Sequence, residues 1–185
     1  PILEYDTKQR AELFGRRYFN GGHPQFGGYA PFYMDIPLHE NTFRHVLARR
    51  PSSVLELGAG RGYVVKRLQD SGIKAHGLDI SKHAQMTRVA NGIWEWDVIS
   101  TPWPAMSERG CSYDLLFSQD FLDRIPEQHL PAVIAEIERT CKRGLHGIDQ
   151  SPIGYDKTRV TIRPLEWWKE RLPETHEVVD KRQLE

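Results

Sequence analysis

The reading of this chain turns on Val54-Leu55-Glu56-Leu57-Gly58-Ala59-Gly60-Arg61-Gly62-Tyr63, followed by Gly77-Leu78-Asp79-Ile80-Ser81. The apolar run at 54–57 reads as a buried strand, and three glycines at alternate positions read as a sharp turn. Val64, Val65 and Leu68 then recur at helical spacing within a helix expected over 63–71. A second strand over 75–80 completes a strand–turn–helix–strand unit.

The same alternation continues outward. We expect a helix over 82–90, a strand over 93–98, and a strand over 113–118 after the Thr101-Pro102-Trp103-Pro104 loop. A helix over 127–141 carries Leu130, Val133, Ile134, Ile137 and Cys141 on one face. A strand over 145–149, a helix over 164–172 opened by Pro164, and a strand over 177–179 follow. Strands alternating with helices of this length make right-handed βαβ units, hence a doubly wound α/β fold with a mostly parallel sheet.

The N-terminal part is different. Asp6 or Thr7 caps a helix carrying Leu13, Phe14 and Tyr18, and a Gly/Pro/aromatic loop spans 20–31. A further helix over 39–49, with Phe43, Val46 and Leu47, ends before Pro51. We therefore divide the chain into residues 1–50, helices and an aromatic loop serving as lid or cover, and 51–185, a ligand-binding core. No internal repeat is visible.

Composition narrows the function. The 25 Lys and Arg balance 25 Asp and Glu among 185 residues, which argues against a nucleic-acid partner that needs a dominant positive field. No apolar run has the length of a membrane span, so no membrane association is expected. Cys111 and Cys141 are too few for a disulfide framework and fit a reducing cytoplasm.

In an open parallel sheet the ligand sits at the carboxyl ends of the strands, beside the first one. Gly58, Gly60 and Gly62 let the backbone approach a ligand there, and Asp79 ends the second strand, where a carboxylate can accept from two ribose hydroxyls. A dinucleotide fingerprint requires glycine where Tyr63 stands, and Glu56 would repel a pyrophosphate. A ligand with an ammonium, a ribose and no phosphate suits these residues. S-adenosylmethionine (SAM) is such a ligand.

These residues resemble the class I SAM-dependent methyltransferases. Residues 54–63 are similar to their first motif, and Gly77-Leu78-Asp79-Ile80-Ser81 to their second-strand motif. Trp96-Asp97-Val98 resembles the stretch where an acid holds the adenine amino group, and the fourth-strand motif resembles 113–120. The resemblance implies a SAM site formed by Glu56, Gly58, Gly60, Gly62, Asp79, Ile80, Asp97, Val98 and Ser118. Two further segments, 120–126 and 158–168, resemble methyltransferases found beside glycosyltransferases, implying methylation of a small molecule, such as a sugar hydroxyl. The alternative is a SAM-fold binding or scaffold protein with weak or lost catalysis.

Both segments depart from the resembled patterns, with Arg124 and Arg159 where those have histidine. Arginine cannot ligate a metal, so no metal is expected at Asp120 and Asp123. Two guanidiniums near the site instead suggest an anionic acceptor. Little sequence follows the sixth strand, so we expect the family's usual last antiparallel strand to be missing. Asp120, Asp149 and His146 are the candidate catalytic groups, with His23 a lid-borne alternative. Arg124, Arg159, Tyr29, Tyr33 and Trp168 are the candidate acceptor contacts, with Trp167 or Trp168 expected in the core.

Overall fold

The computed structural model describes residues 5–22, 27–28, 38–104, 113–152 and 156–185. Six strands form one sheet: β1 (Ser53–Leu57), β2 (Lys74–Asp79), β3 (Ile93–Glu95), β4 (Tyr113–Gln119), β5 (Cys141–Ile148) and β6 (His176–Asp180). Their order is β3-β2-β1-β4-β5-β6, and every pairing is parallel. This is the doubly wound sheet the alternation implies. Among the described residues no antiparallel strand joins it, and β6 pairs directly with β5.

The alternation of side chains along each strand builds two apolar layers. Leu55, Leu57 and Leu116 pack with Leu130, Val133 and Ile137 of α6 (Leu130–Thr140) and with Trp168 of α7 (Leu165–Lys169). Val54, Leu115, Phe117 and Leu145 face the other way, onto Phe43 and Val46 of α3 (Leu38–Ala48) and Val64, Val65 and Leu68 of α4 (Tyr63–Asp70). Strand order reverses at β1, whose neighbours are β2 and β4, so the cleft above it opens between diverging connections.

Several elements differ from the expected bounds. The N-terminal helix is two pieces, α1 (Thr7–Leu13) and α2 (Arg16–Phe19), broken at Gly15, whose extended backbone caps α2. Asp6 caps α1 in a reciprocal box with Gln9. The next helix after α4, α5 (Lys82–Met86), is short: Val89 N–H leaves it to donate to Arg61 O at 2.9 Å. Cys141 does not continue the helix. It turns extended and pairs with Tyr113, so β5 begins directly where α6 stops. The pairing with β4 outweighs the helical spacing of that one residue.

Trp168 is a core residue and not an acceptor contact. It is fully buried in the layer under α6, whereas Trp167 is half-buried and stacks on Arg171, 3.8 Å from guanidinium to ring. Trp168→Ala should lower stability by about 3–5 kcal/mol, measurable by urea denaturation, because the cavity left there cannot fill.

Candidate functional site

The turn after β1 depends on backbone that side chains resist. Gly58, Gly60 and Gly62 all have positive φ, at 69°, 53° and 82°. At Gly58 a Cβ would also collide with the ring of Phe121. Leu78 O accepts from Gly58 N–H at 2.9 Å and Ala59 N–H at 3.1 Å, so the turn hangs from the end of β2. Asp79 completes the tie by accepting from Gly60 N–H at 2.8 Å and Ser81 N–H at 2.7 Å. Burial raises the Asp79 carboxyl to about 6, with those two N–H donors working against the rise.

The glycine turn divides the cleft into two chambers that share Gly58, Gly60, Gln119 and Asp120. One, of about 730 Å³, lies over Asp79, Ile80, Asp97 and Val98 and is closed by Arg10, Phe14 and Tyr18 of the N-terminal helices. The other, of about 670 Å³, lies over Glu56 and is walled by Phe19, His39, Thr42, Arg61 and Tyr63. Glu56 is buried, with Oε2 unpartnered among the described residues. Desolvation, then the nearby Asp79 charge, pushes its carboxyl well above the usual range, against a Val65 backbone hydrogen bond. An uncompensated buried carboxylate of this kind calls for a cation.

Residues 54–144 match the family model described as a methyltransferase domain. Over that stretch the chain is similar to a methyltransferase domain. Among solved structures, TehB from Haemophilus influenzae is similar at a TM-score of 0.60 and 15% identity, over 76% of this chain and 53% of its own. DesVI from Streptomyces venezuelae gives 0.51 at 13% identity, over 64% and 54%. A SAM-dependent methyltransferase from Bacteroides fragilis, crystallised with S-adenosyl-L-homocysteine, gives 0.45 at 18%, over 60% and 45%. At these identities the likeness is one of fold, and the chain spans about half the length of these structures. No curated protein matches the sequence significantly.

Within the matched stretch, Glu56, Gly58, Gly60, Asp79, Ile80, Asp97 and Val98 come together on the cleft walls. Gly62 serves one step back, as the left-handed N-cap of α4. Asp97 is already engaged: Arg10 lies 2.5 Å from Oδ2, Thr7 donates to the same oxygen at 2.9 Å, and Ile99 N–H reaches Oδ1 at 3.3 Å. Ser118 lies elsewhere. Its buried hydroxyl shares a 2.8 Å hydrogen bond with His146 Nδ1 inside the sheet and lines neither chamber.

His146 is likewise no base for a ligand in the cleft. It is fully enclosed between Ser118 and His176, with Nε2 2.9 Å from His176 Nδ1, and desolvation lowers its pKa to about 3. Asp149 is consumed too. Ser151 donates to Oδ1 through N–H and hydroxyl, while Arg159 at 3.2 Å and Lys181 at 3.3 Å hold Oδ2. Only Asp120, of the three catalytic candidates, faces both chambers. It holds a left-handed backbone, φ 53°, and pairs through Oδ2 with Lys181 at 3.2 Å and Arg124 at 3.3 Å.

The two arginines do not form an anion pocket. Arg159 is buried, its Nε on Asp123 Oδ2 at 2.7 Å and its terminal nitrogens on the Asp149 and Ser151 carbonyls. Arg124 lines the larger chamber but binds Asp156 Oδ2 at 2.7 Å, Asp120 O at 2.7 Å and the Thr158 hydroxyl. Tyr29, Tyr33, His23 and Cys111 lie outside the described residues.

Sequence reasoning missed His39, Gln119, Phe121 and Arg10 as wall residues. Arg10 and His39 reach the cleft through tertiary packing, with no motif to announce them. Gln119 and Phe121 flank Asp120, and their place at the end of β4 was the available signal. Arg159→Met should lower stability by about 3–5 kcal/mol in urea denaturation, because Asp123 and Asp149 would lose their shared buried cation.

Proposed function

We propose that the protein binds SAM across the divided cleft and transfers its methyl group to a small molecule, at a hydroxyl of a sugar or other metabolite. The observation that carries this is Asp79 in one chamber and Glu56 in the other, on either side of one glycine turn. Asp79 suits ribose hydroxyls, since its fixed oxygens keep acceptor capacity beyond the two backbone N–H groups. Ile80 and Val98 offer apolar faces for a base, and Glu56 supplies the counter-charge for the ammonium. A phosphate-bearing dinucleotide would set its own charge against Glu56.

When bound, SAM supplies a methyl group already activated by a sulfonium. The protein's part is alignment and exclusion of water, for which the α1–α2 segment is placed: Tyr18 donates to Asp156 at 3.1 Å and Ser81 to Phe14 O at 2.5 Å, tying that segment over the larger chamber. We place no anionic group on the acceptor, because Arg124 and Arg159 are bonded internally. A cytoplasmic location belongs to this proposal, in keeping with a chain of only two cysteines. No helix among the described residues is long and apolar enough to cross a membrane.

Calorimetry with SAM, S-adenosylhomocysteine and NAD tests the cofactor. The first two should bind and NAD should not; the reverse order would overturn the proposal. Asp79→Ala should weaken S-adenosylhomocysteine by about ten- to a hundred-fold, the worth of hydrogen bonds to a charged acceptor. Methyl transfer is then tested on hydroxylated sugars and metabolites, and binding without transfer to any of them would favour the scaffold alternative.

The pH dependence has a defined sign. Ribose hydroxyls donate to the ionised Asp79, so affinity for S-adenosylhomocysteine should rise as pH passes upward through about 6. Asp79→Asn should remove that part of the rise, leaving any contribution from Glu56 at higher pH.

A further inference from the structure

The groups expected from sequence to receive a proton are engaged elsewhere. Removing a hydroxyl proton requires an uncharged base or an exposed carboxylate near the acceptor. His146 is sealed inside the sheet, Asp149 is committed to Ser151, Arg159 and Lys181, and Glu56 is the counter-charge for an ammonium. Asp120 is held through Oδ2 between Lys181 and Arg124.

His39 differs from all of these. It stands in the first turn of α3 and forms part of the wall of the Glu56 chamber, with Thr42 one turn further along the helix. Thr42 donates to Gln119 Oε1 at 2.8 Å, which anchors this helix to the end of β4, where the two chambers meet. The imidazole stacks on Tyr63, with 5.0 Å between ring centroids and 19° between planes, so its orientation is fixed. Its Nε2 is buried and has no hydrogen-bond partner among the described residues.

We propose that His39 is the catalytic base of this site, taking the proton of the acceptor hydroxyl on Nε2. The step balances without a further reactant. As the acceptor oxygen forms its bond to the methyl carbon, the carbon–sulfur bond breaks and its electron pair stays on sulfur. The hydroxyl proton passes to Nε2, and the resulting imidazolium later releases it to water. Burial lowers the His39 pKa, so the ring is neutral and ready at neutral pH. The charged and titratable groups facing the same chamber are Glu56 of β1, Arg61 in the glycine turn, Tyr63 of α4 and Asp120 after β4. Glu40 on His39's own helix is committed to Arg67 and Arg44.

This inference rests on the SAM reading, and its test separates the two and needs no acceptor. A base poised beside the transferred methyl group must lie near the sulfonium, which is positive in SAM and absent in S-adenosylhomocysteine. Protonated His39 would therefore be disfavoured by SAM and indifferent to the product. In NMR titrations of the His39 ring, SAM should lower its pKa by about one unit relative to the S-adenosylhomocysteine complex. By linkage, the ratio of SAM to S-adenosylhomocysteine affinity should fall by up to about tenfold on acidification through that pKa. His39→Gln should flatten that part of the ratio, any remaining slope belonging to Glu56, with circular dichroism confirming its fold.

Three results would overturn the assignment. An equal rise in pKa with both ligands would put His39 on the ligand's carboxylate. Equal values in both complexes would put it away from the sulfonium. A ratio whose slope survives His39→Gln unchanged would give the proton to a carboxylate. Failure of both ligands to bind the wild-type protein would reject the SAM reading itself, and this inference with it.

Discussion

The hydrogen bond from Gly60 N–H to the Asp79 carboxylate, 2.8 Å long, fixes the geometry on which the whole cleft depends. It joins the turn after β1 to the end of β2, and Leu78 O reinforces it by accepting from Gly58 and Ala59. With the turn pinned, Gly62 can start α4 in a left-handed conformation, and Arg61 O can receive Val89 N–H from beyond α5. The two chambers then fall on either side of a rigid strip of backbone. A flexible turn would leave their separation undefined, and a ligand spanning both would lose its alignment.

This arrangement is costly to the folded protein. A carboxyl held at about 6 instead of 3.8 costs roughly 3 kcal/mol of stability at neutral pH, since a carboxylate ionised in both states must be taken out of water on folding. Glu56 adds a second buried acid, unpartnered at Oε2 and close enough to Asp79 for their charges to repel. The like charges of the two acids flanking one turn oppose folding, against the hydrogen bonds that Asp79 accepts. Their placement makes sense as a site that a cation and two hydroxyls complete, so part of the binding energy of such a ligand is relief of that repulsion.

The sheet and the acids at β1 and β2 were legible in sequence because both obey local rules. Strand alternation assigns Val54 and Leu55 to opposite layers, and a glycine turn between strand and helix has few other uses. What could not be read was where long polar side chains go. Arg124 and Arg159 stand in segments that suggest contact with a ligand, yet Arg159 runs inward to Asp123 and Asp149. Its choice of partner depends on which loop folds against which strand end, 36 residues away for Asp123, and no spacing rule encodes that. Cys141 shows the same limit in the backbone, where a helical position becomes the first residue of a strand because β4 is there to pair with it.

The ionic cluster at the ends of β4, β5 and β6 also explains why this edge holds charge without offering it to a ligand. Asp120, Asp123, Asp149 and Asp156 interleave with Arg124, Arg159 and Lys181, so each cation touches at least two carboxylates. Such a network gains little net stability over apolar packing, but removing one member strands its partners. Its effect is to fix loops that carry few apolar contacts: Asp123 O accepts from Val160 and Thr161 N–H, which brings the 158–163 segment against the turn after β4. Asp120, at the cleft end of the network, is held in a left-handed backbone that aspartate adopts at some cost. The strain persists because Lys181 and Arg124 grip its carboxylate, while Gly147 O accepts its N–H. The network therefore acts on the cleft by position: through Asp120 it sets the floor where the two chambers meet, and its cations are held by carboxylates instead of facing a ligand.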